Sequence, residues 1–131
     1  MFLGIDLGTT GVKVVLIDTD QTLIDTVTKP LTISRPNPLW SEQDPRDWWD
    51  ATQAAVQSLQ KKHKKAFGRM QAIGLSGQMH GATLLDKQDN LLRPAILWND
   101  GRSGLESDFL TKETNAVEIT GNLVMPGFTA P

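Results

Sequence analysis

The first seventeen residues constrain the fold most strongly, because only a short glycine-rich turn separates two β-type segments. Residues 1–7 are mostly apolar with β-type residues, residues 12–17 are mostly apolar and rich in β-branched side chains, and Gly8-Thr9-Thr10-Gly11 lies between them. Residues 22–32, rich in threonine, valine and isoleucine, predict a third strand. Tight turns between consecutive strands require antiparallel pairing. The sequence therefore predicts an antiparallel three-strand meander at the start of the chain.

A helix is expected after a proline-containing loop. Asp44-Pro45-Arg46-Asp47 is a typical helix start, because aspartate caps the helix and proline suits its first position. Apolar residues then recur at helical spacing on one face: Trp48, Ala51, Ala55 and Leu59. The cationic run at residues 61–65 is interpreted as the helix C-terminus or a solvated face, rather than as a phosphate site.

Short strands and a second helix are expected in the remaining chain. Residues 70–75 predict a buried strand, residues 81–86 and 91–98 predict two more, and residues 102–114 predict a helix. Residues 121–131 contain two prolines and predict turns and irregular chain. This order of elements indicates an α/β layered fold with a mixed sheet.

Composition excludes several classes of protein. A length of 131 residues corresponds to one domain. The net charge of −2 argues against a general binder of nucleic acid or anionic membranes, and the absence of cysteine excludes disulfides and thiolate metal sites. No apolar run approaches the roughly 20 residues of a membrane span. We expect a cytoplasmic protein with no nucleic-acid or membrane partner.

The turn Gly8-Thr9-Thr10-Gly11 is the first motif that suits a chemical function. Its glycines let backbone N–H groups approach an anion, and Thr9 and Thr10 add hydroxyl groups. Asp6, at a strand end, is suited to hold Mg²⁺ through water. The turn matches neither of the common nucleotide loops, because no helix follows it. The structural alternative is an ordinary glycine-containing hairpin, in which Lys13 is a surface lysine.

Two further motifs follow apolar runs and combine aromatic, amide and imidazole groups. Gly77-Gln78-Met79-His80-Gly81 suits a small polyhydroxylated ligand, because hydrogen bonds orient such a ligand and a thioether packs against its carbons. Trp98-Asn99-Asp100-Gly101-Arg102 offers an indole for a sugar face and polar groups for hydroxyls. The alternatives are a tight turn with a structural His80, and a core tryptophan followed by a helix cap. The other tryptophans, Trp40 and Trp48-Trp49, are interpreted as core packing.

Taken together, the motifs resemble the FGGY carbohydrate kinases, and within that family the xylulokinase branch, along essentially the whole chain. The first motif also resembles the first phosphate motif of the superfamily that contains actin, hexokinase and the heat-shock chaperones. The remaining matching segments are Ser34-Arg35-Pro36, Leu39-Trp40-Ser41-Glu42-Gln43-Asp44-Pro45, Trp48-Trp49, residues 77–85, residues 93–102 and Thr120-Gly121-Asn122.

The resemblance implies a fold and a set of phosphate-site residues. The fold would be the ribonuclease-H-like α/β domain of this superfamily, and residues 1–131 would be the N-terminal part of the first kinase domain. Asp6 would be the catalytic residue of this segment, near Mg²⁺ and the transferring phosphate. Gly8, Thr9 and Thr10 would face the phosphates of ATP, so the implied cofactors are ATP and Mg²⁺.

The resemblance also implies a substrate pocket. Met79 and His80 would line a ketose site, with Gln78, Trp98 and Asn99 close by. The whole protein would phosphorylate D-xylulose to D-xylulose 5-phosphate. The general-base aspartate and most of the adenine pocket would lie beyond this segment, in an absent C-terminal domain, so the isolated chain would be inactive.

Three alternatives stay open at this point. The substrate of the kinase could instead be ribulose, fuculose, glycerol or another ketose or polyol. A ribonuclease-H-type nuclease would also place an aspartate on the first strand. A non-catalytic module would bind sugar or a partner. For a chain that lacks its second domain we expect exposed apolar area and self-association, in the simplest form a homodimer.

Overall fold

The structure, a computed structural model, describes residues 1–127. In chain order its elements are β1 (Phe2–Leu7), β2 (Gly11–Ile17), β3 (Leu23–Pro30), β4 (Glu42–Gln43), α1 (Pro45–Lys62), α2 (Lys64–Phe67), β5 (Ala72–Ser76), β6 (Ala95–Ile96), α3 (Gly104–Glu113) and α4 (Ala116–Thr120). The chain divides into two compact units. The first comprises Met1–Thr32 and Arg46–Gln78, and the second comprises Ile33–Pro45 and Met79–Pro131.

A four-stranded mixed sheet of order β3-β2-β1-β5 forms the first unit. β1 pairs antiparallel with β2, and β2 pairs antiparallel with β3, which confirms the predicted meander. β5 pairs parallel with β1, as expected when a helix connects two strands of one sheet. The predicted α/β mixed sheet is therefore confirmed.

One face of this sheet packs against α1. Alternate β2 residues Val12, Val14 and Leu16 are fully buried, as the two-residue period of a half-covered strand requires. Ala55 and Leu59 of α1 are fully buried in the same cluster. These two residues belong to the helix face that the sequence predicted, so apolar spacing identified the side of α1 that meets the sheet.

The C-terminus of α1 is also linked to the meander by charge. His63 Nε2 lies 2.8 Å from Asp25 Oδ2 on β3, and Lys62 Nζ lies 3.4 Å from the same oxygen. The hydrogen bond with His63 is the main cause that lowers the pKa of Asp25 below its usual value. Two residues of the cationic run thus have a structural contact, while Lys61, Lys64 and Lys65 are exposed.

The prediction that residues 70–75 form a buried strand is wrong in one respect. The strand is present as β5, but all five of its residues are exposed, and Leu75 and Ile73 are 79% and 58% exposed. β5 forms an edge of the described sheet and pairs only with β1 within residues 1–127. An apolar run shows that a segment favours burial, but it does not specify which part of the chain covers it.

The second unit contains little regular sheet. β4 and β6 form a two-stranded antiparallel pair, and single bridges join Ser34 to Glu42, Ala82 to Ile96 and Leu85 to Leu91. The strands predicted at residues 81–86 and 91–98 are therefore reduced to these bridges and to β6. A compact turn interrupts them, because Asp86 Oδ1 accepts hydrogen bonds from the N–H groups of Gln88 and Asn90.

The helix predicted at residues 102–114 is present as α3, and α4 is an additional short helix that the sequence did not predict. α3 ends at Glu113, and α4 follows after two residues. Gly121 ends α4 in the left-handed conformation, with φ of 69°. Residues 121–127 contain no helix or strand, as predicted, and residues 128–131 lie outside the described part. Within residues 1–127, no helix is both long and apolar enough to cross a bilayer.

Candidate functional site

Asp6 lies near the end of β1, between two polar residues of the neighbouring strands. It pairs in register with Lys13 of β2 and with Ser76 of β5, and all three residues are exposed. Paired residues of adjacent strands project on the same face of a sheet. A carboxylate, an ammonium and a hydroxyl group therefore share one face, where they line a groove of about 320 Å³ together with Gly4 and Gly74.

Glycine is required at one position of this groove. A Cβ at Gly4 would come within 2.8 Å of the Val15 Cγ2 atom, whereas a Cβ at Gly74 would meet nothing within 4 Å. Sequence reasoning treated Lys13 as an ordinary surface lysine and so missed its place opposite Asp6. The hairpin itself carried the signal, because a short turn closed by Gly8 and Gly11 sets the pairing of the strands on either side of it.

The hairpin turn is held by its own backbone. The Gly8 N–H donates to the carbonyl oxygen of Gly11 at 3.1 Å, and the Leu31 N–H donates to that of Thr10 at 3.0 Å. A Cβ at Gly11 would lie 2.7 Å from the Lys29 carbonyl oxygen, so the close approach of β3 requires glycine there. The Gly8 N–H is thus committed to shaping the turn, and Thr10 is exposed beside it.

The first side chain of the second motif reaches this turn. Thr9 Oγ1 donates a hydrogen bond to Gln78 Oε1 at 3.2 Å, and both residues are half-buried. β1 and β5 are parallel neighbours, so their carboxyl ends lie at the same edge of the sheet. The first unit therefore brings together five predicted site residues: Asp6, Gly8, Thr9, Thr10 and Gln78.

Met79 and His80 belong to the second unit and are exposed; for Met79 the exposed fraction is 54%. His80 has a φ of 58°, in the left-handed region that non-glycine residues rarely occupy. Such strained positions concentrate at functional sites. Gln21, Leu39 and Asp89 have similar positive φ values, so this conformation alone does not identify a functional residue.

An antiparallel bridge between Ala82 and Ile96 relates this loop to the third motif. His80 lies two residues before one bridge partner, and Trp98 lies two residues after the other. In antiparallel pairing these positions lie toward the same end of the pair. Trp98 is half-buried and Asn99 is exposed. The second unit thus places the remaining predicted substrate residues, Met79, His80, Trp98 and Asn99, around one short stretch of backbone pairing.

Asp100 and Arg102 do not have the role of hydroxyl binders that the sequence suggested. The Asp100 side chain is 1% exposed, and its Oδ2 accepts hydrogen bonds from Arg102 Nη2 and from the Ser41 N–H, both at 2.6 Å. Arg102 Nη1 and Arg93 Nη2 both donate to Glu42 Oε1 at 2.8 Å. These groups form an internal ion-pair cluster, because buried charges require partners.

The cluster sets the protonation state of its members. Burial raises the pKa of the Asp100 carboxyl, but hydrogen bonds from Arg102 and from the Ser41 N–H outweigh it and leave the pKa below its usual value. The Asp100 hydrogen bond is the main cause that raises the pKa of Arg102. Both groups are therefore charged at neutral pH and hold each other in place.

The three tryptophans predicted to pack in the core, Trp40, Trp48 and Trp49, differ in their surroundings. The Trp40 ring lies 3.6 Å from the Arg102 guanidinium carbon, as a cation–π pair. Trp49 is 65% exposed on α1, so the prediction that it packs in the core is wrong. Helical spacing placed Trp48 on the buried face and Trp49, one position later, on the solvated face.

Within residues 1–127, no group of three or more histidine, cysteine or acidic residues is placed to hold a metal ion. Asp6 and Ser76 nevertheless offer hard oxygen donors on one face of the sheet. Mg²⁺ commonly binds through one or two carboxylates, water and substrate phosphates, rather than in an all-protein cage. The donor set therefore fits a magnesium ion carried with a nucleotide.

Comparison with known proteins gives a consistent result. A profile of the FGGY family of carbohydrate kinases, N-terminal domain, matches residues 1–131. A xylulose kinase of Escherichia coli (strain K12) is 54% identical over 132 residues, which cover 100% of this chain and 27% of that protein.

Two crystal structures share the fold. That of a "xyloylose kinase" from Brucella ovis superposes with a TM-score of 0.92 at 53% identity, and covers 97% of this chain and 26% of its own. That of gluconate kinase from Lactobacillus acidophilus gives 0.88 at 29% identity, with 96% and 26% covered. The chain spans about a quarter of the length of these relatives. Because the family profile covers every residue, the chain belongs to the FGGY family of carbohydrate kinases.

Proposed function

We propose that the protein containing this chain transfers the γ-phosphoryl group of ATP to O5 of D-xylulose, in the cytoplasm, and that residues 1–131 are the N-terminal part of its first domain. The observation that supports this most directly is the grouping of Asp6, Lys13 and Ser76 on one sheet face, beside a glycine-closed turn. A carboxylate, a cation and hydroxyl groups are what a transferring phosphate and its metal require.

The phosphate side of the site is assigned to the first unit. Mg²⁺, when bound, would neutralise charge on the transferring phosphate. Asp6 would hold the hydrated metal, and the Thr9 and Thr10 hydroxyls would face the ATP phosphates. Gly8 would keep the turn closed through its hydrogen bond to Gly11. The chain's own contribution to catalysis is positioning, which can supply a large part of a rate enhancement.

The sugar side of the site is assigned to the second unit. Met79 would pack against the carbons of the ketose, and His80 and Asn99 would bind its hydroxyl groups. Trp98 would pack its indole against the apolar face of the sugar. The proton of the attacking sugar hydroxyl would be taken by an aspartate of the C-terminal domain, so we expect residues 1–131 alone to be inactive.

A different sugar is the second candidate. The gluconate kinase of Lactobacillus acidophilus shares this domain with a TM-score of 0.88, so the backbone alone does not select the substrate. The 54% identity to a xylulose kinase favours the ketose. Membership of a carbohydrate kinase family decides against the nuclease alternative.

The test is ADP release by the complete gene product with ATP, Mg²⁺ and one sugar at a time. D-xylulose should give the highest kcat/KM in a panel that also contains D-ribulose, L-fuculose, gluconate and glycerol. A higher kcat/KM with another sugar would overturn the substrate assignment. Absence of ADP release with every sugar would overturn the proposed activity.

Substitutions with matched controls test the proposed roles of Asp6 and Trp98. Asp6→Asn should lower kcat by about 100-fold or more, because a charge that acts in the transition state is lost. Asp20→Asn removes a comparably exposed carboxylate from the β2–β3 turn and should leave kcat unchanged. Trp98→Phe should raise the KM for the sugar, whereas Trp49→Phe, at a 65% exposed helix position, should not.

A further inference from the structure

We propose that Gln78 is a positioning residue for the nucleotide side of the site, acting through Thr9, rather than a contact of the sugar. The inference rests on the proposed kinase function, because it assigns Gln78 to one of the two substrates of that reaction. By resemblance Gln78 would lie near the sugar with Met79 and His80. A hydrogen bond of its side chain reaches the phosphate turn instead.

This assignment is based on the position of both residues at the same edge of the sheet, where the parallel strands β1 and β5 end. Asp6 and Ser76 pair in register near the ends of β1 and β5. Thr9 and Gln78 each lie two residues beyond the end of their own strand. The two side chains therefore meet at the same edge of the sheet, and the bond links positions 69 residues apart.

The direction of the hydrogen bond explains how Gln78 would act. A threonine hydroxyl has one proton and two acceptor lone pairs. At Thr9 that proton is donated to Gln78 Oε1. The rotation of the hydroxyl is thereby fixed, and its oxygen lone pairs are directed away from Gln78. An oxygen presented in this way suits the water shell of a magnesium–nucleotide complex, so Thr9 would face the ATP phosphates through that water rather than donate to them.

Fixing this side chain before the nucleotide binds reduces the ordering cost of binding. Loss of the hydrogen bond would add this ordering cost to binding, so nucleotide binding should weaken about two- to tenfold. The effect on the sugar should be smaller, because the Gln78 side chain is bonded to Thr9 of the phosphate turn.

The experiment is a double-mutant cycle on the complete gene product, with wild type, Gln78→Met, Thr9→Val and the double variant. ADP affinity is measured by calorimetry in the presence of Mg²⁺, and KM values for ATP and D-xylulose are measured by ADP release. Gln78→Met should raise the ADP Kd about two- to tenfold when Thr9 is present, and less than about twofold in the Thr9→Val background. The KM for D-xylulose should change less than about twofold.

Conservative variants keep the test decisive. Thr9→Ser retains the hydroxyl, so Gln78→Met should weaken ADP binding in that background as it does with Thr9. If Gln78→Met does not fold, Gln78→Asn withdraws the amide from Thr9 while keeping its polarity, and should give the same pattern.

Each other outcome overturns the inference in a recognisable way. A raised KM for D-xylulose with unchanged ADP Kd would place Gln78 on the sugar. If Gln78→Met changed the ADP Kd equally with and without the Thr9 hydroxyl, Gln78 would not act through Thr9. A wild-type protein that binds ADP but phosphorylates no sugar would refute the proposed activity, while the cycle on ADP Kd would still decide the role of Gln78. A wild-type protein that does not bind ADP would overturn both.

Discussion

At His80 a bulky side chain occupies a backbone conformation that favours glycine. Its φ is 58°, and L-residues pay roughly 1–2 kcal/mol in the left-handed region. The residue is exposed, and under the proposed function its imidazole would bind the sugar.

Two substitutions of His80 separate the cost of its backbone conformation from the contribution of its side chain. His80→Gly should be about 1 kcal/mol more stable than His80→Ala, because only glycine adopts a positive φ without a steric cost. Both variants should raise the KM for D-xylulose, because both lose the imidazole. Thermal unfolding and kinetic assays of the complete gene product measure the two effects. Equal stability of the two variants would contradict the left-handed backbone at this position.

Gly127 is a further position at which glycine is required, here because the backbone of the third motif comes very close. A Cβ there would lie 2.6 Å from the Asp100 carbonyl oxygen and 2.7 Å from that of Trp98. Gly121 has nearly the same positive φ, but a Cβ there would meet nothing within 4 Å. Comparing substitutions at Gly121 and Gly127 therefore distinguishes the cost of a steric collision from the cost of the backbone conformation.

Gly121→Ala should lower the unfolding free energy by about 1 kcal/mol, because the positive φ is its only unfavourable feature. Gly127→Ala should cost more than Gly121→Ala, and it should also raise the KM for D-xylulose by displacing Trp98. Denaturant unfolding and steady-state kinetics provide the two measurements. Equal costs for the two variants would show that the turn at residues 97–100 moves aside freely.

Among the elements, β4 and β6 form a pair of only two residues each, so hydrogen bonds cannot be all that holds them. The ion-pair cluster around Asp100 supplies further links. It connects the loop after β6 to β4 through Arg102 and Glu42, and to the Ser41 N–H directly. Asp100 is therefore the residue whose loss should most disturb the turn that carries Trp98 and Asn99.

Asp100→Asn should lower the unfolding free energy by about 3 kcal/mol at neutral pH, because it removes one of the two buried carboxylates that pair with Arg102. Asp108→Asn is the matched control. Its side chain is 73% exposed and lies 4.0 Å from Lys112, so the change should stay within about 0.5 kcal/mol. A small effect of Asp100→Asn would show that the cluster contributes little to stability.

The cost of Asp100→Asn should depend on pH. The pKa of Asp100 is lower in the folded protein than its usual value, so the ionised carboxylate binds protons less readily when folded. Its stabilising contribution is complete above the unfolded pKa of about 3.9, and is lost as pH falls through the lower folded value. Thermal midpoints of wild type and Asp100→Asn should converge below about pH 3.9. A difference that stays constant at acidic pH would contradict this.

For the molecule as a whole, β5 is an exposed apolar strand. Leu75 and Ile73 are 79% and 58% exposed on a strand at a sheet edge. Such an edge promotes pairing with a second copy of the same chain. We therefore expect the 131-residue chain, expressed by itself, to self-associate.

Leu75→Lys should reduce this self-association, because a charged edge strand opposes pairing. Leu105→Lys is the control, since Leu105 is 83% exposed but lies on a helix. Sedimentation of the 131-residue chain at increasing concentration measures the effect. A monomeric wild-type chain at high concentration, or an equal effect of both substitutions, would contradict the role of β5.

Much of the fold was predictable because its causes are local. Alternation in β2, the short glycine turn and the helical spacing of Ala55 and Leu59 act over a few residues, so the meander and α1 follow from the sequence. The site residues were proposed by resemblance. The structure adds where each one lies in its unit, and their roles stay predictions.

What the sequence did not specify depends on partners far along the chain. Asp100 meets the Ser41 N–H across 59 residues, and Thr9 meets Gln78 across 69. No pattern at either end distinguishes a carboxylate that faces a ligand from one that is buried against an arginine. The placement of Lys13 beside Asp6 likewise needed the strand register, and the exposure of β5 needed the sheet order. Local preference decides which elements form, whereas burial and charge pairing are set only when those elements pack.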